Sequence, residues 1–505
     1  MKKYSIIAAV AAFALASVSC TDKFLTVDHN SAMPLEEYFT TEAHLQEALV
    51  AAYDPLEWFD WCADQYNPLN IMSDIMADQI WVGGESKTDN QYWHLMMNYE
   101  AIPTNCMSGI WSDCYSGVKR CNDVLQYMEW TKDLPAETAK SVEAQARVLR
   151  AFYYNILWKF WGNIPYYEQN LTGDFTGEQF KADEVYAKIL ADLSGAIAIG
   201  SLPMKWDDAN RGRVTLATAY MLYAELAMYQ KDAAALPTAF KYMKEIIDSN
   251  QFSLVPNYGD IFKEAGEWGS ESIFEIGYKD NGAQRSWGWV RGVGGTVLPR
   301  LISPYGLGAD PDGHDAGWGF APVRQETYDM FDAADARRDA TCWVVDPAIS
   351  YTKRYQDTRI FLEKYVAYKA NNADAEYDGD LNFNNNLRVY RYAETLLNAA
   401  ELVLAGYGTG DAAGWLNQVH GRSLGGATVD LSLENIKKER QLEFVGEGKR
   451  YWDLIRWGDA STVLVPDDYG YRTNTWKESK KYLPFPQDEI DATQGKDHVL
   501  IQNNY

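Results

Sequence analysis

The stretch SVEAQARVLRAFYYNILWKFWGNIPYY, residues 141–167, decides how this chain folds. Its apolar side chains recur at steps of three and four residues, at Leu149, Phe152, Tyr153, Ile156, Leu157 and Phe160. This spacing predicts a helix with one buried face. Gly162 and Pro165 follow, and both residue types end helices. The stretch therefore predicts a long helix that packs along one face and ends at Gly162.

Two further stretches resemble the first and indicate a repeated helical unit. The stretch GRVTLATAYMLYAELAMYQKD, residues 212–232, places Ala219 68 residues after Ala151. This distance is two periods of about 34 residues, the repeat length of tetratricopeptide helix pairs. The stretch RYAETLLNAAELVLAG, residues 391–406, shares the string AEL with the second one. Helical periodicity dominates, and the fold is predicted to be mainly α.

The composition indicates a large buried core and argues against nucleic-acid binding. The 505 residues are 47% hydrophobic and 14% aromatic, enough to bury a substantial core. The formal net charge of -25 repels phosphate groups, so nucleic acid is not an expected partner.

The first residues, MKKYSIIAAVAAFALASVSCTDKFL, have the pattern of an export signal. Lys2 and Lys3 precede an apolar run that is too short to span a bilayer but long enough for a signal peptide core. We expect residues 1–19 to be a signal peptide and Cys20 to receive lipid, because the stretch resembles a bacterial lipoprotein signal. The alternative is an ordinary signal peptide in which Cys20 is coincidental. Beyond Cys20 no apolar stretch approaches the length of a membrane span.

Residues 20–505 are predicted to form a single domain with two long irregular inserts, at about 57–109 and 266–345. The second insert is dense in glycine and tryptophan, and within it only ESIFEIGY is typical of a strand. Long irregular segments in a helical protein are usually functional. We therefore expect these inserts to carry a ligand site.

Three patterns resemble chemical sites but fit them poorly. GRSLG, residues 421–425, matches a hydrolase nucleophile motif, yet a helix-like stretch precedes it where that motif requires a strand. Asp310 to Gly317 alternates acidic residues as calcium loops do, but lacks the distal glutamate, so a solvated turn is favoured over a calcium site. The cysteines after Cys20 form no CxxC pair. We expect no metal, no cofactor and no catalytic residues.

Taken together, several segments resemble the SusD/RagB family of outer-membrane nutrient-binding lipoproteins. They are Cys20 with TDKFLTVDHN, the helix 149–167, RYAETLLNAAELVLAG, KKERQLEFVGEGKRYWDLIRWGD (437–459) and YLPFPQDEI (482–490). The resemblance implies four tetratricopeptide-like helix pairs and an irregular half that holds the ligand. It also implies capture of an oligosaccharide or polysaccharide at the cell surface and delivery to a SusC-like, TonB-dependent outer-membrane transporter. Peptide capture, an all-helical hydrolase and a scaffold that binds only protein are the alternatives.

Tryptophans in the irregular inserts are the expected ligand platform. Sugars present apolar faces to aromatic rings and polar edges to amides, carboxylates or arginines. By motif context the family's platform role falls on Trp81, Trp287 and Trp318, although the GWG string around Trp318 can also serve as a turn. The full set of expected ligand residues is Trp81, Trp93, Trp287, Trp289 and Trp318, with Asp78, Asn90, Arg285 and Arg291 as hydroxyl partners.

Two other groups are assigned to structure rather than to ligand binding. Charged residues of the segment 437–459 alternate in sign around aromatic residues, which predicts a structural ion-pair network made of Glu439, Arg440, Glu443, Arg450, Asp453 and Arg456. The tryptophans in helical stretches are assigned to the core: Trp158, Trp161, Trp415, Trp452 and Trp457.

Overall fold

The computed structural model describes residues 33–62, 64–172 and 176–505. The predicted signal peptide and Cys20, which is predicted to receive lipid, lie outside these residues. None of the helices in the described ranges has both the length and the hydropathy needed to cross a bilayer.

The protein is mainly α-helical, as predicted. In chain order, the α-helices within the described ranges, α1 to α18, are Leu35–Tyr38, Glu42–Tyr53, Leu69–Asp74, Gln91–Met97, Gly109–Trp130, Ala136–Trp161, Ala182–Ile199, Leu216–Gln230, Leu236–Asp248, Leu298–Ile302, Gln325–Asp329, Arg337–Thr341, Tyr392–Leu404, Ala412–Ser423, Leu433–Glu443, Arg450–Trp457, Ala460–Val463 and Gln487–Thr493.

Strands are few and form short antiparallel pairs. They are β1 Trp61–Cys62, β2 Gln65–Tyr66, β3 Ser272–Ile276, β4 Cys342–Val344, β5 Ile360–Leu362 and β6 Leu387–Arg391. Strand β1 pairs with β2, β3 with β6, and β4 with β5. The predicted strand in ESIFEIGY is therefore confirmed as β3.

Helix pairs form the body of the protein. Helix α2 packs on α5, α6 on α7, α8 on α9, and α13 on α14, and the neighbouring helices α5 and α6 are also in close contact. The three helices expected from the sequence are confirmed as α6, α8 and α13. Ala151 and Ala219, the residues two repeat lengths apart, are both buried where these helices approach one another.

Helix α6 ends where the sequence predicted. Gly162 adopts φ +67°, a conformation that residues with a side chain rarely take, and its N–H donates to the carbonyl of Trp158 at 2.9 Å. The helix buries almost every side chain of its second half, including Trp158 and Trp161. Helix α14 leads into the GRSLG motif and includes its first three residues, Gly421 to Ser423, so the strand of a nucleophile elbow is absent at this described position.

The predicted ion-pair network is confirmed and is larger than the sequence indicated. Arg440 and Arg456 each bind Asp453 at 2.8 Å. Glu443 accepts from Arg391 at 2.9 Å, from Arg337 at 3.2 Å and from Arg422 at a shorter distance.

Further carboxylates complete this charge cluster. Glu271 accepts from Arg391 at 2.5 Å and from Arg422 at 2.8 Å. Glu447 accepts from Arg391 and from Lys364, both at 2.7 Å. These side chains are almost fully removed from solvent. The arginines hold the pKa of Glu443 well below its usual range, although burial alone would raise it.

The substitution Glu443→Gln is expected to lower the free energy of unfolding at pH 7 by about 3 to 5 kcal/mol, because it leaves buried guanidinium groups without their carboxylate. Denaturation in urea, followed by circular dichroism, measures this loss. The exposed Glu434 on the same helix α15 provides the control Glu434→Gln, which should change little.

The same pair of variants tests the pH dependence. Because the folded pKa of Glu443 is depressed, its contribution is complete above the unfolded value of about 4.3 and is lost as the pH falls through the folded pKa. The difference between wild type and Glu443→Gln should therefore shrink only under strongly acidic conditions. Equal stability of the two proteins at pH 7 would contradict a structural role for the cluster.

Candidate ligand-binding site

Four aromatic side chains contact one another in the irregular half and form what we call the four-ring platform: the buried Trp61, the half-buried Tyr66 and Trp318, and the exposed Trp287. Ring centroids are 5.6 Å apart for Trp61 and Tyr66, and 4.6 Å for Trp61 and Trp287. They are 5.4 Å apart for Tyr66 and Trp318, and 6.1 Å for Trp287 and Trp318. Each ring thus contacts two others, and Trp287 is 44% exposed to solvent.

The β1–β2 hairpin places two of these rings. Trp61 and Tyr66 are directly opposite each other in the antiparallel pair, the arrangement in which cross-strand side chains touch. The Tyr66 carbonyl accepts from the Trp93 indole N–H at 2.9 Å and from the Tyr92 hydroxyl. Helix α4 carries both donors, so it fixes the position of the hairpin.

The loop that carries Trp287 is fixed by a buried ion pair. Arg285 binds both carboxylate oxygens of Asp60, at 2.8 and 2.6 Å. It also donates to the carbonyls of Val290 at 2.8 Å and Gly295 at 2.9 Å. Because Asp60 immediately precedes strand β1, this bidentate contact joins the hairpin to the Trp287 loop.

A second tether comes from the segment after Lys369. The Asn382 side chain donates to the Arg285 carbonyl at 2.9 Å and accepts from Gly295 N–H at 3.1 Å. The Trp287 N–H donates to Asp378 Oδ2 at 3.0 Å. The exposed indole of Trp287 therefore stands on a backbone with little freedom to move.

Trp318 is held by backbone hydrogen bonds to the end of helix α10. Its N–H donates to the Arg300 carbonyl, and the Gly319 N–H to the Ser303 carbonyl, both at 2.8 Å. A side chain at Gly317 would lie 2.4 Å from the Arg300 carbonyl oxygen, so only glycine allows this approach. The GWG string is therefore an extended segment bonded to the end of helix α10 rather than a turn, and it carries the half-buried Trp318 ring.

Charged side chains border the platform. Arg300 pairs with Asp380 at 2.8 Å and with Asp315 at 3.0 Å. Burial, reinforced by the nearby carboxylates Asp380 and Asp89, raises the pKa of Tyr66 to about 12. The Tyr66 hydroxyl therefore keeps its proton at neutral pH and can both donate and accept hydrogen bonds.

Two of the expected ligand residues lie in the core instead. Trp81 is 2% exposed, covered on one face by the Arg324 guanidinium at 3.6 Å, and Trp93 is fully buried. The expectation that these two tryptophans belong to an accessible ligand platform is therefore wrong. Their sequence neighbours say nothing of the distant segments that fold over them.

The expected hydroxyl partners also fall into two groups, those engaged in ion pairs and those that are at least partly accessible. Asp78 is engaged by Arg450 in two contacts of 2.9 Å, and Arg285 is buried against Asp60, so neither is available to a ligand at the surface. Asn90 precedes helix α4 in a left-handed conformation and is half-buried. Arg291 remains partly exposed, with its guanidinium 4.9 Å from the Trp58 ring centroid.

Trp289 is 56% exposed and lies in the same loop as Trp287. A tight turn closed by the Trp289 N–H and the Ser286 carbonyl at 2.8 Å presents the ring to solvent. Trp287, Trp289 and Trp318 are therefore the expected tryptophans that the structure leaves accessible in this region.

Sequence reasoning missed Trp61 and Tyr66. The signal that could have found them is the spacing of two aromatic residues across a short polar segment, ADQ at 63–65, which is compatible with a hairpin. Asp378, Asp380 and Arg300 carry no such local signal, because their proximity to the platform arises from contacts between distant segments.

The arrangement suits an uncharged, polyhydroxylated ligand. Aromatic faces bind apolar C–H surfaces, and the bordering carboxylates and guanidinium groups bind hydroxyls. Within the described ranges, no group of histidine, cysteine, aspartate and glutamate side chains is arranged to hold a metal ion.

Family models match both ends of the chain. The model described as the SusD family matches residues 339–505. The model described as starch-binding associating with outer membrane matches residues 23–228. SusD-like protein P25 of Formosa agariphila is 24% identical, over 100% of this chain and 99% of that protein.

Solved structures extend this likeness to the whole fold. Surface glycan-binding protein A from Bacteroides thetaiotaomicron, in complex with laminarihexaose, is 57% identical over 92% of this chain and 100% of that one, with a TM-score of 0.89. Surface glycan-binding protein A from Bacteroides uniformis is 49% identical over 92% and 100%, with a TM-score of 0.84. A helical body with an aromatic platform in its irregular half defines a class of ligand-binding proteins. Within that class, this chain belongs to the SusD/RagB family.

Substitution of buried and exposed tryptophans should separate core from platform. Trp81→Ala is expected to lower the free energy of unfolding by about 3 to 5 kcal/mol, as for a large core side chain. Trp287→Ala should lower it by only about 0.5 to 1.5 kcal/mol, the range of an aromatic pair. Urea denaturation of both variants provides the comparison, and equal losses would show that Trp287 belongs to the core.

Proposed function

We propose that this protein captures β-1,3-glucan, the class of glycan to which laminarihexaose belongs, on the four-ring platform. The observation that carries the proposal is the contact of the exposed Trp287 with the half-buried Trp318 and the buried Trp61, and of both of these rings with the half-buried Tyr66. The 57% identity to a surface glycan-binding protein bound to laminarihexaose supports this ligand class.

The rigidity of the platform favours binding. An indole has few rotatable bonds, and the backbone of the Trp287 loop is already held by Asp60, Asn382 and Asp378, so little entropy is lost when a sugar stacks on it. Binding of this kind needs no bond to be made or broken.

We propose binding without hydrolysis. A glycosidase needs a carboxyl group that gives its proton to the leaving oxygen and a second carboxylate on the other side of the bond. The nearby Asp315 and Asp380 instead share one guanidinium, that of Arg300. This geometry supports recognition of hydroxyl groups rather than acid–base chemistry.

We further propose that the protein is anchored in the outer membrane by lipid on Cys20 and that it passes its glycan to a SusC-like, TonB-dependent transporter. The family model described as associating with the outer membrane supports this location. A lipid-anchored binding protein needs a channel to move its ligand across that membrane.

Trp287→Ala and Trp318→Ala should each weaken the binding of laminarihexaose by about five-fold or more, since loss of an aromatic ligand contact commonly costs above 1 kcal/mol. Isothermal titration calorimetry measures the affinity. Wild type should bind laminarihexaose and should not release shorter products from it over time.

Trp130→Ala is the matched control. Trp130 is a half-buried tryptophan at the far end of helix α5, whose first residue Gly109 donates to the hairpin residue Gln65 at 3.2 Å. At 1.5 Å per residue, this helix of 22 residues places Trp130 about 33 Å away. The proposed function is overturned if wild type binds no β-1,3-glucan. The assignment of the four-ring platform as the binding site is overturned if the Trp287 and Trp318 variants bind laminarihexaose as tightly as the control does.

Cys20→Ala should abolish metabolic labelling with a fatty acid and release the protein from the membrane fraction, because thiol acylation is the proposed anchor. Immunoblotting of membrane and soluble fractions, together with the label, measures both effects. Replacement of a buried cysteine, Cys342→Ala, serves as the control and should keep the label. Retained labelling of Cys20→Ala would refute the anchor.

A further inference from the structure

A second group of exposed aromatic rings lies away from the four-ring platform. Tyr469 and Tyr471 are nearly parallel, with centroids 5.8 Å apart and an interplanar angle of 14°. Tyr355 follows, 5.4 Å from Tyr471. Tyr469 is 56% exposed, and the other two rings are partly exposed. We call these three residues the tyrosine row.

The buried Trp81 packs beneath two tyrosines of this row. Tyr471 and Tyr469 both stand edge-on to the Trp81 ring, at 5.1 and 5.9 Å between centroids. The Arg324 guanidinium lies 3.6 Å from the centroid of the same ring. Trp81 is therefore held between Arg324 and the two tyrosines. It stays buried itself, but it positions the rings of Tyr469 and Tyr471.

The loop that carries Tyr469 and Tyr471 is fixed by hydrogen bonds to Asp467 and by the buried Arg472 that follows it. Asp467 Oδ1 accepts from the Tyr469 N–H at 2.8 Å and from the Tyr471 N–H at 3.1 Å. The next residue, Arg472, is fully buried and donates to the carbonyls of Met97 at 2.9 Å and Ala77 at 2.5 Å. An exposed loop with so many internal bonds presents its rings in one orientation.

Gly84 joins the segment of the tyrosine row to that of the four-ring platform. Its N–H donates to the carbonyl of Gly319, the residue after Trp318, at 3.0 Å. Its carbonyl accepts from the Tyr355 N–H, also at 3.0 Å. Arg354, the residue before Tyr355, packs on the exposed Tyr305 ring, with its guanidinium 3.7 Å from the ring centroid. The segments that carry Trp318 and Tyr355 are therefore neighbours.

We propose that the tyrosine row is a second subsite, which binds a more distant part of the same glucan chain that the four-ring platform holds. This inference rests on the proposed function and deepens it, because it makes the protein selective for long chains. Two linked subsites raise the affinity for a ligand that reaches both, since the second contact is intramolecular.

The chemistry of the row fits a glycan better than a protein partner. The core of a stable protein interface is depleted in charged residues, whereas Asp467 and Asp468 lie directly beside these rings. The Tyr469 hydroxyl also donates to the Glu326 carboxylate at 3.0 Å. Aromatic faces beside carboxylates are what a sugar requires.

The test compares a short and a long β-1,3-glucan by calorimetry: laminaritriose, and laminarin polysaccharide. The double variant Tyr469→Ala/Tyr471→Ala should lose about five-fold or more of its affinity for laminarin, while its affinity for laminaritriose should match that of wild type. The ring-retaining variant Tyr469→Phe/Tyr471→Phe should keep the affinity for laminarin. Tyr242→Ala, a tyrosine stacked on Tyr220 in a helix pair, is the control.

The outcomes are distinguishable. Unchanged affinity of the double alanine variant for laminarin overturns the second subsite and leaves the proposed function standing. Equal losses for laminaritriose and laminarin also overturn it, because they would mean that the loop only supports the platform. A wild type that binds neither probe overturns both proposals. Melting curves of each variant confirm that the proteins compared are folded, which is expected because Tyr469 is largely exposed.

Discussion

A buried cluster of arginine and glutamate side chains ties the irregular half of this protein to its helical half. Glu443 at the end of helix α15 binds arginines from helix α12, strand β6 and helix α14, which are separated widely along the chain. Arg391 alone contacts Glu271, Glu443 and Glu447. A buried charge is costly unless its partners are in place, so the cluster forms only when all these segments have reached their positions. The fold of the irregular half depends on this requirement.

Buried arginines also hold two irregular segments in place. Arg285 fixes the Trp287 loop by its bidentate contact with Asp60, and Arg472 fixes the Tyr469 loop through backbone carbonyls. Both side chains are fully buried although they belong to loops. A guanidinium group has five N–H donors, so it can satisfy several carbonyls or carboxylates at once. Loops without regular hydrogen bonding thereby gain the rigidity that exposed aromatic rings need to bind a ligand at little entropic cost.

Tryptophan serves two roles in this protein. Trp81 and Trp287 both lie in irregular segments that contain glycine, but Trp81 stands between Ile80 and Val82, whereas Trp287 stands between Ser286 and Gly288. Trp81 is buried beneath Arg324 and two tyrosines, and Trp287 is exposed. The residues that cover Trp81 lie more than two hundred positions away along the chain: Arg324, Tyr469 and Tyr471. A buried tryptophan can still contribute to a surface, as Trp81 does by supporting Tyr469 and Tyr471.

Local sequence patterns predicted helices α6, α8 and α13, the family, and ion pairs within the terminal charged segment. Helix α6 and its end at Gly162, helices α8 and α13 and strand β3 follow from local periodicity and local backbone preference, which act over a few residues. The pairing of Arg440 and Arg456 with Asp453 was predicted because charged and aromatic residues alternate within one segment. The partners of Glu443 lie outside that segment and were not predicted: Arg337, Arg391 and Arg422. Only the tertiary structure decided which aromatic rings face solvent, and it joined Trp61 and Tyr66 to Trp287 and Trp318. The physical reason is that exposure and proximity depend on packing between distant segments, whereas periodicity reports only which face of a segment is apolar.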